Sequence, residues 1–243
     1  MNHLFAAAPL SFFSSVGDQL YQSLVVENRY QYILTGLGNT LVISIFAVII
    51  GLVLGTLVAL VKTTHQNNPK KMRVLNAICS LYLTVIRGTP VVVQLMIMYY
   101  IILVGTSLSD VGTAILAFGI NSGAYVAEVI RSGIMSVDRG QTEAGRSLGL
   151  TERTTMVKIV FPQALKNVLP AVGNEFISLL KETSVAGYIG IQDLTKGGDI
   201  IRSTTYQPYA PLLLTAAVYL VIVIGLSTLL SKAERRLRRS DYR

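Results

Sequence analysis

The chain has 243 residues, of which 51% are hydrophobic and 14% are charged; because soluble domains carry about 25% charged residues, the composition indicates a membrane protein. Its net charge of +8 does not indicate a nucleic-acid-binding protein, since the Lys and Arg residues fall between long apolar runs instead of clustering on one soluble face. One cysteine, Cys79, excludes an intrachain disulfide, and the two histidines, His3 and His65, do not have a metal-ligand spacing.

Residues 1–32 are predicted to be an N-terminal extracytoplasmic segment that lies on the membrane surface. Residues 1–16 lack the Lys or Arg that precedes the apolar core of a secretory signal. Within 10–26, apolar residues recur at spacings of three and four, as in an amphipathic helix: Phe12, Phe13, Val16, Leu20 and Leu24.

Five segments are predicted to span the membrane, because a helix needs about 20 apolar residues to cross the hydrocarbon. In chain order they lie near 37–61, 80–104, 111–131, 166–190 and 210–230. The fourth is the least apolar, and we expect Pro170 and Gly173 to break it. The fold class is therefore an all-α membrane protein, with a transmembrane domain at 33–232 and a basic tail at 233–243.

The distribution of Lys and Arg predicts the orientation, because cytoplasmic connections carry an excess of these residues. With five spans, three basic segments fall on one side: Lys62, Lys70, Lys71 and Arg73; Arg131, Arg139, Arg146, Arg153, Lys158 and Lys166; Lys232, Arg235, Arg236, Arg238, Arg239 and Arg243. On the other side the few basic residues have acidic neighbours in the sequence. The N-terminus is therefore predicted outside and the C-terminus inside.

A polar, helix-prone segment at 138–152 interrupts this apolar chain on the predicted cytoplasmic side. Asp138, Gly140 and Thr142 offer helix-start signals, and Gly149 is a typical helix stop. Its charged residues suit solvent, whereas Ala144, Leu148 and Leu150 suit a soluble partner. The alternative is an ordinary surface helix with solvated charges.

The same segment contains a near match to a phosphate-binding loop at 140–147, but Arg146 replaces the required Lys and Glu143 would repel phosphate. We therefore expect no cofactor on this chain and no enzymatic activity. Any energy from ATP would therefore have to come from a separate subunit.

Several motifs resemble one family. Glu143, Ala144, Gly145 and Gly149, followed by Ile159, Phe161 and Pro162, resemble the EAA loop of ATP-binding-cassette importer permeases. The segments 86–95, 131–150 and 169–184 resemble the permeases for histidine, glutamine, arginine, lysine and cystine, and the similarity covers about 30–232. Gly145 and Phe161 depart from the EAA pattern of Ala and Leu, so we expect a slightly looser helix there.

The resemblance implies a type I importer permease in the bacterial inner membrane. The resemblance implies a separate ATPase subunit that binds ATP and Mg. The segment 138–152 would be a coupling helix that contacts this subunit through Glu143, Ala144, Gly145, Gly149 and Leu150. The resemblance also implies an extracytoplasmic amino-acid-binding protein that contacts loops around 105–110 and 187–209. Because five helices cannot enclose a path for an amino acid, a second permease copy, identical or homologous, is expected.

Substrate chemistry is expected where ionisable residues lie inside spans. Glu175 and Glu182 are two helical turns apart, on one face with Ser178, and could hold an α-ammonium group and a cationic side chain. Alternatively, one carboxylate pairs with Arg87 or Lys181 and only holds the bundle together. The sequence leaves the identity of the amino acid open.

A second group of candidates lies where Gly88 and Pro90 interrupt the second span. Arg87 could bind the substrate α-carboxylate, with Thr89 and Gln94 in the same pocket; an equally plausible role for Arg87 is a salt bridge to Glu175 or Glu128. On the third span, a polar stripe of Asn121, Tyr125 and Glu128 favours contacts between helices.

The competing functions are a secondary transporter driven by an ion gradient through Glu175 and Glu182, and a membrane scaffold that transports nothing.

Overall fold

The computed structural model of the protein describes residues 21–207 and 209–239. Nearly all of these residues are helical, and none of them is in a β-strand, which confirms the predicted all-α class. Residues 21–24 are helical, whereas the other apolar positions of the predicted surface segment, Phe12, Phe13, Val16 and Leu20, lie outside the described residues. The end of the basic tail, 240–243, also lies outside them.

The helices follow one another through short connections. In chain order they are α1 Tyr30–Asn67, α2 Arg73–Gly88, α3 Val91–Ile97, α4 Asp110–Met135, α5 Arg139–Ser147, α6 Glu152–Thr155, α7 Phe161–Glu182, α8 Leu194–Thr205 and α9 Ala210–Arg239. A π-helical turn, Met98–Ile102, extends α3, and a second one, Met156–Val160, joins α6 to α7. A 3-10 helix, Thr183–Ile189, follows α7.

Three helices within 21–207 and 209–239 are long and apolar enough to cross a membrane: α1, α4 and α9. A fourth span is possible if α2 and the extended α3 count as one, although they are bent by 110°. The predicted span 80–104 is therefore divided at Thr89 and Pro90. α7 has 22 residues, which is about 33 Å of helix, and as a fifth span it stays a prediction.

The break predicted within the fourth span is wrong. α7 continues through Pro170 and Gly173 and ends at Glu182. Near the proline, the Asn174 side chain donates a hydrogen bond to the Pro170 carbonyl (3.1 Å). Gly173 serves packing instead, because a Cβ there would lie 2.4 Å from the Leu230 Cδ1 atom of α9.

Close packing of α1 against α4 forms the centre of the molecule. Each helix contributes two glycines four residues apart, Gly51 and Gly55 on α1 and Gly119 and Gly123 on α4, and a Cβ at any of them would lie within 3.0 Å of the other helix or of α2. Small residues at this spacing let membrane helices approach closely. The adjoining apolar core contains Ile43, Leu95, Phe118, Leu179, Ala186 and Ile189.

α8 is fixed between α1 and α9. The fully buried Asp193 caps it by accepting hydrogen bonds from the Thr195 and Lys196 backbone amides. Gly36 lets α1 approach this cap, since a Cβ there would lie 2.5 Å from the Asp193 carbonyl oxygen. Within the region around 187–209 that was expected to contact a binding protein, α8 is thus a helix with one face buried in the bundle.

Candidate functional site

A cleft of about 680 Å³ lies between α2, α4 and α7. Its lining brings together the ionisable residues Arg87, Glu128 and Glu175 with Tyr125 and Asn167. The other lining residues are small or aliphatic: Val129, Ser132, Gly133, Ser136 and Ala171. We call this space the transport cavity.

Arg87 enters the transport cavity from the last turn of α2. Its Cζ atom lies 5.6 Å from the centroid of the Tyr125 ring, which is within the range of a cation–π contact. Among the described residues, no carboxylate lies within 4.0 Å of its guanidinium, so the salt bridge to Glu175 or Glu128 that the sequence allowed is not formed. Arg87 therefore keeps its hydrogen-bond donors available.

Glu175 enters the cavity from α7 and is half-buried. Its Oε1 atom accepts a hydrogen bond from the Ser122 hydroxyl of α4 (3.2 Å). No cationic side chain in the described part of the chain lies within 4.0 Å of it. The cavity thus holds an unpaired carboxylate and an unpaired guanidinium.

The two glutamates predicted to act together are separated. Glu182 lies two turns beyond Glu175 on α7, about 10 Å along the helix, and it is exposed. It does not line the transport cavity, and the half-buried Ser178 between them does not line it either. The spacing of seven placed both carboxylates on one face correctly, but the cavity ends before it reaches Glu182.

Thr89 and Gln94 stabilise the bend between α2 and α3 instead of lining the cavity. The Gln94 Nε2 atom donates to the Ile86 carbonyl (2.7 Å) and to the Thr89 hydroxyl (2.8 Å). The Thr89 hydroxyl donates to the Val85 carbonyl (2.8 Å). Pro90 provides no N–H group here, so the two side chains supply hydrogen bonds that a continuous helix would make through its backbone. Neither side chain lines the transport cavity, and a contact of either with substrate stays a prediction.

The polar stripe on α4 divides into two roles. Asn121 donates to the Gln94 side chain (2.9 Å) and so joins α4 to α3, as predicted for a contact between helices. Tyr125 and Glu128 line the transport cavity instead. Glu128 also pairs with Arg131, whose Nε atom lies 3.1 Å from the Glu128 Oε2 atom. The carboxylate of Glu128 is therefore neutralised, unlike that of Glu175.

Sequence reasoning missed the inner end of the cavity. Ser132 and Ser136 continue the stripe of Asn121, Tyr125 and Glu128, each four residues after the previous member. Across the cavity, the Asn167 Nδ2 atom of α7 donates to the Ser136 hydroxyl (2.9 Å). Extending the polar periodicity by two further turns would have found both serines.

The segment 138–152, which we call the coupling segment after the role that the resemblance implies, has well-defined ends. Asp138 caps α5 by accepting a hydrogen bond from the Gly140 amide (2.6 Å). At the other end, the Leu150 amide donates to the Gly145 carbonyl and the Gly149 amide to the Arg146 carbonyl, with Gly149 at φ +79°. This is a Schellman motif, which requires a left-handed residue at the position of Gly149.

Gly145, predicted to contact the ATPase subunit, is buried inside its own chain. A Cβ there would lie 2.7 Å from Thr155 Cγ2 and 3.2 Å from Ile159 Cδ1. The glycine thus allows α5 to pack tightly on the following helix, and the looser helix expected from this departure is not observed.

The outer surface of the coupling segment includes Glu143, Ala144, Gly149 and Leu150, which are all exposed. Leu148 is 79% exposed, which is unusual for a leucine next to a rigid helix end. Glu143 also borders a second cleft of about 520 Å³, which it shares with Arg139, Arg146 and Glu152. An apolar tip with charges around it is a surface suited to a protein partner.

Comparison with known proteins gives close similarities. A family model described as the inner membrane component of binding-protein-dependent transport systems matches residues 51–239. The putative glutamine transport system permease protein GlnP of Rickettsia bellii is 38% identical over 208 residues, which are 85% of this chain and 93% of that protein. The arginine transport system permease protein ArtQ of Bacillus subtilis is 37% identical over 212 residues, which are 86% and 94% of the two chains.

Two solved structures have similar folds. The crystal structure of an amino acid ABC transporter with histidines contains a chain that is 42% identical, with a TM-score of 0.80 over 88% of this chain and 97% of that one. A chain of the inward-facing methionine transporter MetNI is 22% identical, with a TM-score of 0.70 over 85% and 96%; it supports the fold alone. Together these similarities confirm the resemblance inferred from the motifs.

Proposed function

The chain belongs to the family of inner membrane components of binding-protein-dependent transport systems, and we propose that it forms one half of the translocation pathway for a polar amino acid. It is the permease component of an ATP-binding-cassette amino-acid importer, a multi-pass inner-membrane protein without enzymatic activity of its own. Separate subunits bind and hydrolyse ATP.

The unpaired charges of the transport cavity carry this proposal. An amino acid is a zwitterion, and Arg87 and Glu175 offer one cation and one carboxylate within the same cleft. The planar guanidinium of Arg87 suits the α-carboxylate, since it can form two parallel hydrogen bonds. Glu175 would accept the α-ammonium group. Unpaired ionisable side chains inside a membrane protein are costly, which favours a functional role for both.

We assign side-chain selectivity to Glu182. It is exposed beyond the cavity on the same helix as Glu175, so it could attract a cationic side chain along the pathway. Among the relatives, one protein is named for arginine transport and one solved transporter is described with histidines, whereas others are named for glutamine. A cationic amino acid is therefore the proposed substrate, and a neutral polar amino acid is the alternative.

Uptake measurements separate these roles. The assembled transporter, with its ATPase subunits and binding protein, would be reconstituted into liposomes and given labelled amino acids and ATP. Glu175→Gln should lower uptake of every amino acid that the wild type carries, because all have an α-ammonium group. Glu182→Gln should lower uptake of cationic amino acids selectively, whereas Glu27→Gln, which removes an exposed carboxylate elsewhere, should change nothing.

Two outcomes would contradict the assignment. Undiminished uptake by Glu175→Gln would show that this carboxylate does not bind the α-ammonium group. If only neutral amino acids enter and Glu182→Gln has no effect, the cationic substrate is wrong, although the zwitterion site of Arg87 and Glu175 remains.

A second permease copy and two ATPase subunits complete the proposed assembly. The transport cavity is an open cleft within one chain, which supports closure by a second copy. Leu148 and Leu150 extend from the rigid coupling segment, which supports insertion into a groove of an ATPase subunit. Two symmetric copies would bring two coupling segments and hence bind two ATPase subunits.

The proposed mechanism is alternating access. When the ATPase subunits close on ATP, they would draw the two coupling segments together, and the helices would rotate so that the cavity opens to the binding protein. Hydrolysis would return the cavity to the inward-facing state. The α5 caps at Asp138 and Gly149 support this role, because a coupling element must transmit force without bending.

A further inference from the structure

A third cleft, of about 460 Å³, lies between α1, the first half of α2 and the end of α4. We call it the basic cavity. Its lining consists of Lys62, His65, Gln66, Asn76, Leu83, Glu128 and Arg131. It shares only Glu128 with the transport cavity, and the proposed transport function assigns no role to its other residues.

Positive charge dominates the basic cavity. Lys62 donates a hydrogen bond to the Ser80 hydroxyl of α2 (2.8 Å), and no carboxylate among the described residues lies within 4.0 Å of its ammonium group. Arg131 is already paired with Glu128, so Lys62 remains the unbalanced charge. The adjoining connection between α1 and α2 adds three exposed cations: Lys70, Lys71 and Arg73.

The cavity is ordered where it meets this connection. The His65 Nδ1 atom donates to the Lys71 carbonyl (2.9 Å), which ties the end of α1 to the basic connection. Asn76, Ser80 and Leu83 place one side of α2 against the cavity. The cations are thus attached to two helices with defined positions.

The opposite side of α2 is apolar and exposed. Val74, Ile78, Leu81 and Val85 recur at spacings of four and three, and their exposed fractions lie between 49% and 73%. Over residues 74–85, α2 therefore has a polar side that faces the basic cavity and an apolar side that faces away from it. A ligand that fits both sides needs an anionic head and a long apolar chain.

We propose that the basic cavity binds the headgroup of an anionic phospholipid, whose phosphate contacts Lys62 and whose acyl chain lies along the apolar side of α2. Basic pockets between membrane helices attract anionic headgroups, and each Lys or Arg near the membrane surface contributes substantially to the attraction. A soluble phosphate would gain nothing from the apolar side. The positive charge of the cavity, together with the exposed apolar side of the same helix, favours a lipid as the occupant.

Lipid binding to the assembled transporter in detergent would test this proposal by native mass spectrometry. Phosphatidylglycerol is the probe, with phosphatidylcholine as the neutral lipid and inorganic phosphate as the soluble competitor. Lys62→Gln should weaken phosphatidylglycerol binding about fivefold, the effect of one cation near the surface, and Lys62→Arg should restore it. Lys232→Gln removes an exposed cation from α9 and is the matched control.

The outcomes are distinct. Equal binding of phosphatidylglycerol by wild type and Lys62→Gln, an equal loss in Lys232→Gln, or no preference over phosphatidylcholine would each overturn the proposal. Displacement of the lipid by inorganic phosphate would show that the cavity selects a soluble anion. If Lys62→Gln does not assemble, a photoreactive phosphatidylglycerol should label peptides within 62–83 of the wild type, and labelling confined to other segments would refute the site.

Discussion

The polar groups of the coupling segment have local partners, whereas two charged groups of the transport cavity do not. In the coupling segment the ends of α5 are capped locally, by Asp138 at the start and by the Schellman motif at Gly149. In the transport cavity, Arg87 and Glu175 have no partner of opposite charge within 4.0 Å among the described residues. The difference supports the two roles that we propose, in which the coupling segment transmits motion without deforming and the cavity binds a charged ligand.

The largest effect should come from Arg87 if the cavity binds a zwitterion. Arg87→Ala should lower ATP-dependent uptake at a fixed substrate concentration by about 100-fold, because the bound substrate would bury its carboxylate against Arg87, and loss of one partner of such a pair costs a few kcal/mol. Arg87→Lys should recover part of the uptake, since it keeps the charge without the planar fork. Tyr125→Phe, which keeps the aromatic ring, is the control. If Arg87→Ala takes up substrate at the wild-type rate, Arg87 does not bind the substrate, and the proposed difference between the cavity and the coupling segment is wrong.

A smaller loss of transport is expected when the coupling segment loses its rigid helix end. Proline fixes φ near −65°, whereas Gly149 has φ +79°. Gly149→Pro should therefore destroy the Schellman motif and lower transport per ATP hydrolysed by about tenfold, the result of roughly 1.4 kcal/mol lost in coupling. Gly149→Asn, which tolerates the left-handed conformation, should stay close to the wild type. Measuring ATP hydrolysis and uptake in the same preparation would reveal the loss of coupling. A normal ratio of uptake to hydrolysis in Gly149→Pro would contradict the coupling role of this segment.

Substitution of Gly145 tests only the packing of α5 against Thr155. Gly145→Ala restores the alanine of the EAA pattern but should clash with Thr155, at a cost of about 1–3 kcal/mol for overpacking. The melting temperature should fall by several degrees. Because the buried Thr155 hydroxyl has no hydrogen-bond partner, adding Thr155→Ala should recover the loss by removing both close atoms. Thermal unfolding of the single and double variants decides this, and additive losses would refute the clash.

The smallest effect is expected where charges are already paired at the surface. Hydrogen bonds from Arg202 and Lys196 lower the pKa of Asp199 below its ordinary value of 3.8. The stability that Asp199 contributes is therefore present above the pKa it has in the unfolded chain and is lost as the pH falls through its lower folded pKa. Exposed ion pairs contribute at most about 1 kcal/mol, so Asp199→Asn should slightly flatten the fall in melting temperature below pH 4. It should leave uptake unchanged; a large loss of uptake would show that paired surface charges also act in transport.

Local sequence signals predicted the coupling segment better than the transport cavity. Asp138 and Gly149 act on neighbouring backbone groups, so their types and spacing are sufficient to place the ends of α5. The cavity depends on contacts between distant helices, and spacing along α7 could not reveal that the cleft includes Glu175 but not Glu182. Proline was not a reliable signal of a helix break, because Pro170 lies inside a continuous helix whereas Pro90 lies at a bend of 110°. Both residues are prolines, so the packing of the surrounding helices determines whether the chain bends or stays helical at that position.

A comparison of the binding of two ligands that differ by one charge would test the zwitterion site most directly. The affinities of the substrate amino acid and of its decarboxylated amine would be compared in wild type and in Arg87→Gln. Because Arg87 is assigned to the α-carboxylate, loss of the carboxylate should weaken binding strongly in the wild type and only slightly in Arg87→Gln. If the two proteins discriminate equally between the amino acid and the amine, Arg87 does not bind the carboxylate and the central claim is wrong.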